Sequence, residues 1–259
     1  MSNIEFGSNE GQRCRFLILA CSAKNHKYCL AGLKLDELGD GSKYSLVRLV
    51  TDDQQTDGAV PSELLSIEDE QTQAVRRLNV LDIVEYYVKQ YPSLNQPENY
   101  LICSNLLSIK SLDSLKDSMS PEELGKLMSL IKRKIREISD NDEDGFVFYN
   151  TDRAITSQLL QSIGSNKHSL ELRVVERIRL YKTINSVGQC KVRADFTYKG
   201  KEYSSISVTD PQLFNINQIA IESKCLVLFS LANQPFLGEY YKLIASVSEV
   251  SPDADWLLN

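Results

Sequence analysis

Apolar positions along the chain follow a strand-like pattern, then a helical one, then a strand-like one again. Residues 16–21, FLILAC, form a continuous apolar run that reads as a buried strand. It stops at a small, polar, basic loop of Ser22, Ala23, Lys24, Asn25, His26 and Lys27, and the chain returns through Tyr28, Leu30, Ala31 and Gly32. A buried strand that carries a hydrogen-bonding loop to the surface is a common way to present a binding site. Gly39-Asp40-Gly41 marks a turn, and residues 44–51 alternate as a strand with Arg48 in its middle, on a solvated or a ligand-facing side. Residues 52–58 form a polar loop with a turn at Asp57-Gly58. The stretch 61–77 is predicted to be a helix or an acidic loop, 78–88 a long β-rich run, and 100–103 a short final strand.

The middle of the chain changes period. Ser120, Pro121, Glu122 and Glu123 supply the cap, the N1 proline and the early acids of a helix. Leu124, Leu127, Met128, Ile131, Ile135 and Ile138 continue it at helical spacing to about Ser139. A second helix is predicted over 151–163. Strand patterns then resume. Residues 170–181 alternate as one long strand, and 189–198 and 202–208 flank a tight hairpin at Lys199-Gly200-Lys201. A helix capped by Thr209-Asp210-Pro211 is expected to run to about Glu222, followed by strands over 224–231 and 240–247.

Five strands with a helix between the third and fourth is the order of an OB-fold, a partly open five-stranded barrel. The N-terminal part follows the same order less cleanly. The expected fold is therefore mainly β with a helical insertion: two OB-like barrels linked by a helical segment. The expected boundaries are a disordered lead-in over 1–12, a first barrel over 13–110, helices over 111–166, a second barrel over 167–250 and a tail over 251–259.

Composition narrows the function. The chain has 259 residues, 42% hydrophobic and 25% charged, and carries a net charge of −6. That charge disfavours a protein that coats nucleic acid by bulk electrostatics. Residues 166–250 alone have a basic balance, with 11 Lys and Arg against 8 Asp and Glu. No run is apolar enough for a transmembrane helix, the N-terminus lacks the features of a secretory signal, and the cysteines read as those of a reduced, cytoplasmic protein.

No catalytic or metal constellation has convincing spacing. Cys21, His26 and Cys29 form C-x4-H-x2-C, which is not a zinc knuckle, and no fourth ligand fits. Cys29 with His26 or His168, and Ser22 with Lys24, lack the surroundings of a nucleophile. The acidic run 140–145 lacks the spacing and closing glutamate of a calcium loop, and no phosphate-binding glycine loop occurs. The expectation is a non-enzymatic protein with no cofactor and no metal.

Binding chemistry is better represented. OB-folds bind single strands with aromatic platforms and basic grooves on strands two and three and the adjoining loops. The candidate contacts are Lys24, His26, Lys27, Tyr28 and Arg48 in the first module. In the second they are Arg193, Tyr198, Lys199, Lys201, Tyr203, Tyr241 and Lys242.

Several segments together resemble the bacterial dual OB-domain proteins. They are Leu19-Ala20-Cys21-Ser22-Ala23-Lys24, Lys27-Tyr28-Cys29-Leu30-Ala31-Gly32, Leu46-Val47-Arg48-Leu49-Val50, Leu81-Asp82-Ile83-Val84 and Gln96-Pro97-Glu98-Asn99. The second half adds Val208-Thr209-Asp210-Pro211, Phe229-Ser230-Leu231 and Tyr241-Lys242-Leu243-Ile244-Ala245. The family's loop arginine is Ala23 here, and its strand tryptophan and proline are Leu46 and Leu49. The resemblance implies two OB barrels and a nucleic-acid-binding role of the kind inferred for bacterial conflict and antiviral systems; with the barrel order and the aromatic–basic hairpin, the expectation is a sensor or adaptor with an effector protein partner. It implies no catalytic residues. The alternative expectations are a protein-interaction subunit of a larger complex and a small-nucleotide sensor.

Overall fold

A computed structural model describes residues 11–24, 26–37, 46–68, 74–93, 95–140, 148–163, 168–185 and 188–249. The expected lead-in (apart from Gly11 and Gln12), the turn at residues 39–41, the acidic loop beyond Asp140 and the C-terminal tail lie outside the described residues. The chain divides into two compact units between Ile131 and Lys132.

In the first unit, β1 (Gln12–Lys24) is long enough to pair with two strands. Its second half pairs with β2 (Lys27–Lys34), so the expected basic loop is largely the ends of these two strands. β2 pairs with β3 (Leu46–Val50). A small hairpin follows, β4 (Ser66–Glu68) with β5 (Val75–Arg77), preceded by a 3-10 turn at Ser62–Leu65. This hairpin stands where a helix or acidic loop was expected, because Leu64 and Leu65 anchor the turn in the core. β6 (Ile83–Gln90) and β7 (Asn99–Ile102) complete the unit's barrel, with β8 (Ser108–Lys110) added on β6. β3 runs parallel to β7, β7 pairs with β6, and β6 returns to the first half of β1. The ring β1-β2-β3-β7-β6-β1, with β3 parallel to β7, is thus closed. At the β1–β2 crossing a Cβ on Gly32 would lie 2.2 Å from the Leu17 carbonyl oxygen, so only glycine fits.

Between the barrels in sequence come α1 (Leu112–Ser118) and α2 (Pro121–Asp140). The cap predicted at Ser120 forms: Ser120 N donates to the Glu123 carboxylate (3.0 Å), and Glu123 N donates to Ser120 Oγ (3.3 Å).

The second unit repeats the ring. β9 (Ala154–Thr156) and α3 (Ser157–Ser162) replace the single helix expected over 151–163, because Ile155 enters the core and Thr156 caps the short helix. The expected strand over 170–181 is two strands, β10 (Leu170–Val175) and β11 (Ile178–Ile184). The break at Glu176-Arg177 shifts the alternation by one, so Val175 rather than Val174 joins Ile178 and Leu180 in the core. β12 (Cys190–Tyr198) and β13 (Lys201–Val208) form the expected hairpin, with Lys199 and Gly200 both at positive φ (48° and 77°).

The helix expected after Thr209-Asp210-Pro211 is one 3-10 turn, Pro211–Leu213, followed by β14 (Gln218–Ile221). Its local cap is real, since Asp210 accepts from Gln212 N at 3.0 Å, but pairing with β11 holds the β-branched residues that follow as a strand. β15 (Cys225–Leu231) and β16 (Glu239–Glu249) finish the unit. β10 pairs with β15, β15 with β16, β16 runs parallel to β13, and β12 pairs with both β13 and β11. Since β10 and β11 are consecutive, this path also returns on itself.

Candidate binding face

Two of the first barrel's candidate cations, Lys24 and Lys27, are held in ion pairs. Lys24 Nζ lies 3.0 Å from Asp57 Oδ2 and donates to the Asp57 carbonyl at 2.7 Å. Lys27 Nζ lies 2.7 Å from Asp53 Oδ2. Bonds from Lys27, Thr56 and the Gln55 amide hold the Asp53 carboxyl at about 2, well below its ordinary value. The Tyr28 ring is half-buried with the Arg77 guanidinium 4.8 Å from its centre. His26 is exposed at φ 62°.

Arg48 is on neither a solvated nor a ligand-facing side. It is 2% exposed, donates from Nη1 to Cys29 Sγ (3.0 Å) and lies 3.7 Å from the buried Glu98 carboxylate. Burial opposes its charge, but Cys29 and Glu98 outweigh it and raise the guanidinium's proton affinity. From Leu30 onward both sides of β2 are buried.

In the second barrel the alternation of β12 sorts the candidates. Val192, Ala194, Phe196 and Tyr198 point into the core, as does Tyr203 on β13, whose ring stacks on Phe196 with centroids 4.9 Å apart. Tyr198 and Tyr203 are therefore core residues and not a stacking platform. Lys242 is also inside: it is 1% exposed, donates to the Thr151 carbonyl (2.5 Å) and lies over the Tyr203 ring. Lys201 pairs with Asp152 (3.1 Å) and donates to the Asn150 carbonyl (2.6 Å), while Lys199 is exposed near the Tyr198 ring.

The outward residues of β11, β12, β13 and β16 compose a different face. Tyr181 pairs with Arg193, Arg193 with Ser207, and Ser207 with Leu243, so one row crosses four strands. Arg193 donates to Ser207 Oγ and to the Ser205 carbonyl (3.4 Å). Burial, then the nearby Arg153, lowers its proton affinity. Arg153 reaches this face from the residue before β9, with its guanidinium 5.8 Å from the centre of the Tyr241 ring. Lys191 lies exposed one row further along β12, opposite Thr183.

Asp195 organises the other end of the face at a β-bulge. Its carboxylate pairs with Arg179 and accepts from Tyr181 Oη (2.9 Å) and the Ser205 amide (2.8 Å), with Ser205 at φ 57°. Burial opposes this carboxylate's charge, yet the bonds from Arg179, Ser205 and Tyr181 outweigh it and lower its pKa. The tyrosine and arginine are thereby held in place by one anchored group. Rings, cations and hydroxyls together suit an extended anionic ligand with flat, stackable parts.

Of the sequence candidates, Arg193 and Tyr241 are on this face. The face also holds Arg153, Arg179, Tyr181, Lys191 and Asp195, which are not among the sequence candidates; the in–out alternation of 178–181 and 191–198 carries the signal for four of them. Among the described residues, no group of three His, Cys, Asp or Glu could hold a metal ion, and no helix is long and apolar enough to cross a membrane.

A closed OB ring and a second barrel on the corresponding strand path, with a partly exposed outer face, define a tandem OB-barrel protein with an OB-type binding role. The chain belongs to the dual OB-containing domain family, whose model matches residues 14–247. A search of curated proteins gives no significant match.

Proposed function

We propose that this is a non-catalytic nucleic-acid-binding protein that uses the outer face of its second barrel. The reading is carried by the row Tyr181–Arg193–Ser207–Leu243, with Tyr241 and Arg153 beside it, centred on β12 and β13, the strands on which OB-folds engage nucleic acid. Bases stack on the exposed parts of Tyr181 and Tyr241, while Arg153, Arg193 and Lys191 meet phosphates. The acidic remainder of the chain confines attraction to this face and leaves other surfaces for an effector partner, which fits a sensor or adaptor.

Fluorescence anisotropy of the full chain with single- and double-stranded DNA and RNA tests the reading. Binding that weakens about ten-fold or more between low and physiological salt is expected, because phosphate contacts release counterions. No binding at low salt, or binding that salt leaves unchanged, contradicts it.

A further inference from the structure

The connection from β15 to β16 ends in a feature that folding does not explain. Phe236 N donates to the Glu239 carbonyl (2.8 Å) and Glu239 N to the Phe236 carbonyl (3.1 Å), closing a two-residue hairpin turn over Leu237 and Gly238. Both central residues have positive φ, 53° and 81°, as in a type I′ turn. Such turns ordinarily take Asn-Gly. A leucine is unfavourable there, since its Cβ crowds the following carbonyl oxygen in the left-handed conformation. Packing offers no compensation, because Leu237 is 86% exposed and the adjacent Phe236 is 65% exposed.

The turn is also fixed in position. Ser157 donates to the Gly238 carbonyl from both its amide (3.0 Å) and its hydroxyl (2.9 Å). The Phe236 ring lies 6.4 Å from the Tyr241 ring, which itself carries Arg153. A rigid apolar knuckle is thus continuous with the basic, aromatic face. Strained backbone and exposed apolar side chains at one fixed point together indicate a contact site.

Resting on the nucleic-acid reading above, we propose that the Phe236–Leu237 knuckle is a base-stacking wedge that makes this face select unpaired bases over continuous duplex. An unpaired base offers its full ring face to Phe236 and Leu237, while Arg153 and Arg193 hold the flanking phosphates. In a duplex the same contact requires neighbouring bases to unstack first. The charged surroundings favour this occupant over an apolar protein segment.

The test uses the full chain, the variants Phe236→Ala and Leu237→Asn, and a single-stranded oligonucleotide carrying 2-aminopurine alongside its duplex. Leu237→Asn places the residue that the turn prefers, so its melting temperature is expected to equal or exceed that of the wild type. The wild type is expected to prefer the single strand about ten-fold or more and to change 2-aminopurine fluorescence on binding. Phe236→Ala is expected to weaken single-strand binding roughly 5- to 100-fold, the range for losing one stacked base, and Leu237→Asn somewhat less. Duplex affinity stays unchanged in both, so the preference collapses. The proposal is overturned if folded variants keep the wild-type preference and fluorescence change, or lose single-strand and duplex affinity equally. A wild type that binds neither ligand at low salt overturns the nucleic-acid reading itself, and the wedge with it.

Discussion

The two barrels follow corresponding strand paths, β1-β2-β3-β7-β6 in the first and β11-β12-β13-β16-β15-β10 in the second, but differ where an OB barrel would bind. In the first, Leu30, Val47 and Leu49 fill the core, and Ala31, Leu33 and Arg48 are buried as well. Its half-exposed lysines, Lys24 and Lys27, are matched by Asp57 and Asp53. In the second, Val192, Ala194 and Phe196 face inward while Lys191, Arg193 and Asp195 face outward, as a half-solvated antiparallel sheet requires. Topology alone therefore does not locate a binding site. The second barrel differs in that the outward half of its central strands is partly exposed and carries Lys191 and Arg193, which is the basis of the proposed site.

The largest expected effect breaks this contrast from the first barrel's side. Arg48→Met removes the cation beside the buried Glu98 carboxylate and is expected to destabilise the protein by about 3–5 kcal/mol in urea unfolding. Affinity of the remaining folded protein is expected to be unchanged. Lost binding at unchanged stability would place the site in the first barrel instead.

Next comes Lys242, a buried lysine of the second barrel. Burial pushes its ammonium down to about 7; Glu171 opposes that shift, Lys201 adds to it, and Asp152 opposes it. Between about 7 and the ordinary lysine value the unfolded chain binds a proton that the folded chain does not. Stability is therefore expected to rise with pH across that window and to level off below it, by at most about 1.4 kcal/mol per pH unit. Unfolding curves at several pH values should show this rise in the wild type and its loss in Lys242→Met.

Binding variants on the open face come third. Arg193→Ala is expected to weaken binding about ten-fold and to reduce the salt slope by about 1, and Tyr181→Ala to cost about 1–3 kcal/mol of affinity. The smallest effects belong to the first barrel's paired lysines. Lys24→Ala and Lys27→Ala are each expected to change stability by less than about 1 kcal/mol and to leave affinity unaltered in the same titrations.

Much of the fold was legible where the signal is local. The Lys199-Gly200 hairpin and the Ser120 cap both rest on residues close together in sequence. The missing parts rest on distant pairings. The Ile219 and Ile221 stretch is a strand because β11 pairs with it, although Asp210-Pro211 starts a helical turn locally. Arg48 reads as a surface residue until Glu98, 50 positions away, arrives beside it.

The binding face was half legible. Composition alone groups Tyr198 and Tyr203 with Arg193, whereas the alternation of β12 puts Tyr198 and Arg193 on opposite sides. The Glu176-Arg177 break hid the true parity of β10 relative to β11. Arg153 and Phe236 lie on connections, and only the pairing of β9 with β16 brings Arg153 to Tyr241.

Photo-crosslinking of the full chain to a single-stranded oligonucleotide carrying a photoreactive base, with the attached peptides mapped by mass spectrometry, tests the central claim most directly. Crosslinks are expected on residues 179–207 and 236–243 of the second barrel. Crosslinks concentrated on residues 24–28 of the first barrel would contradict it.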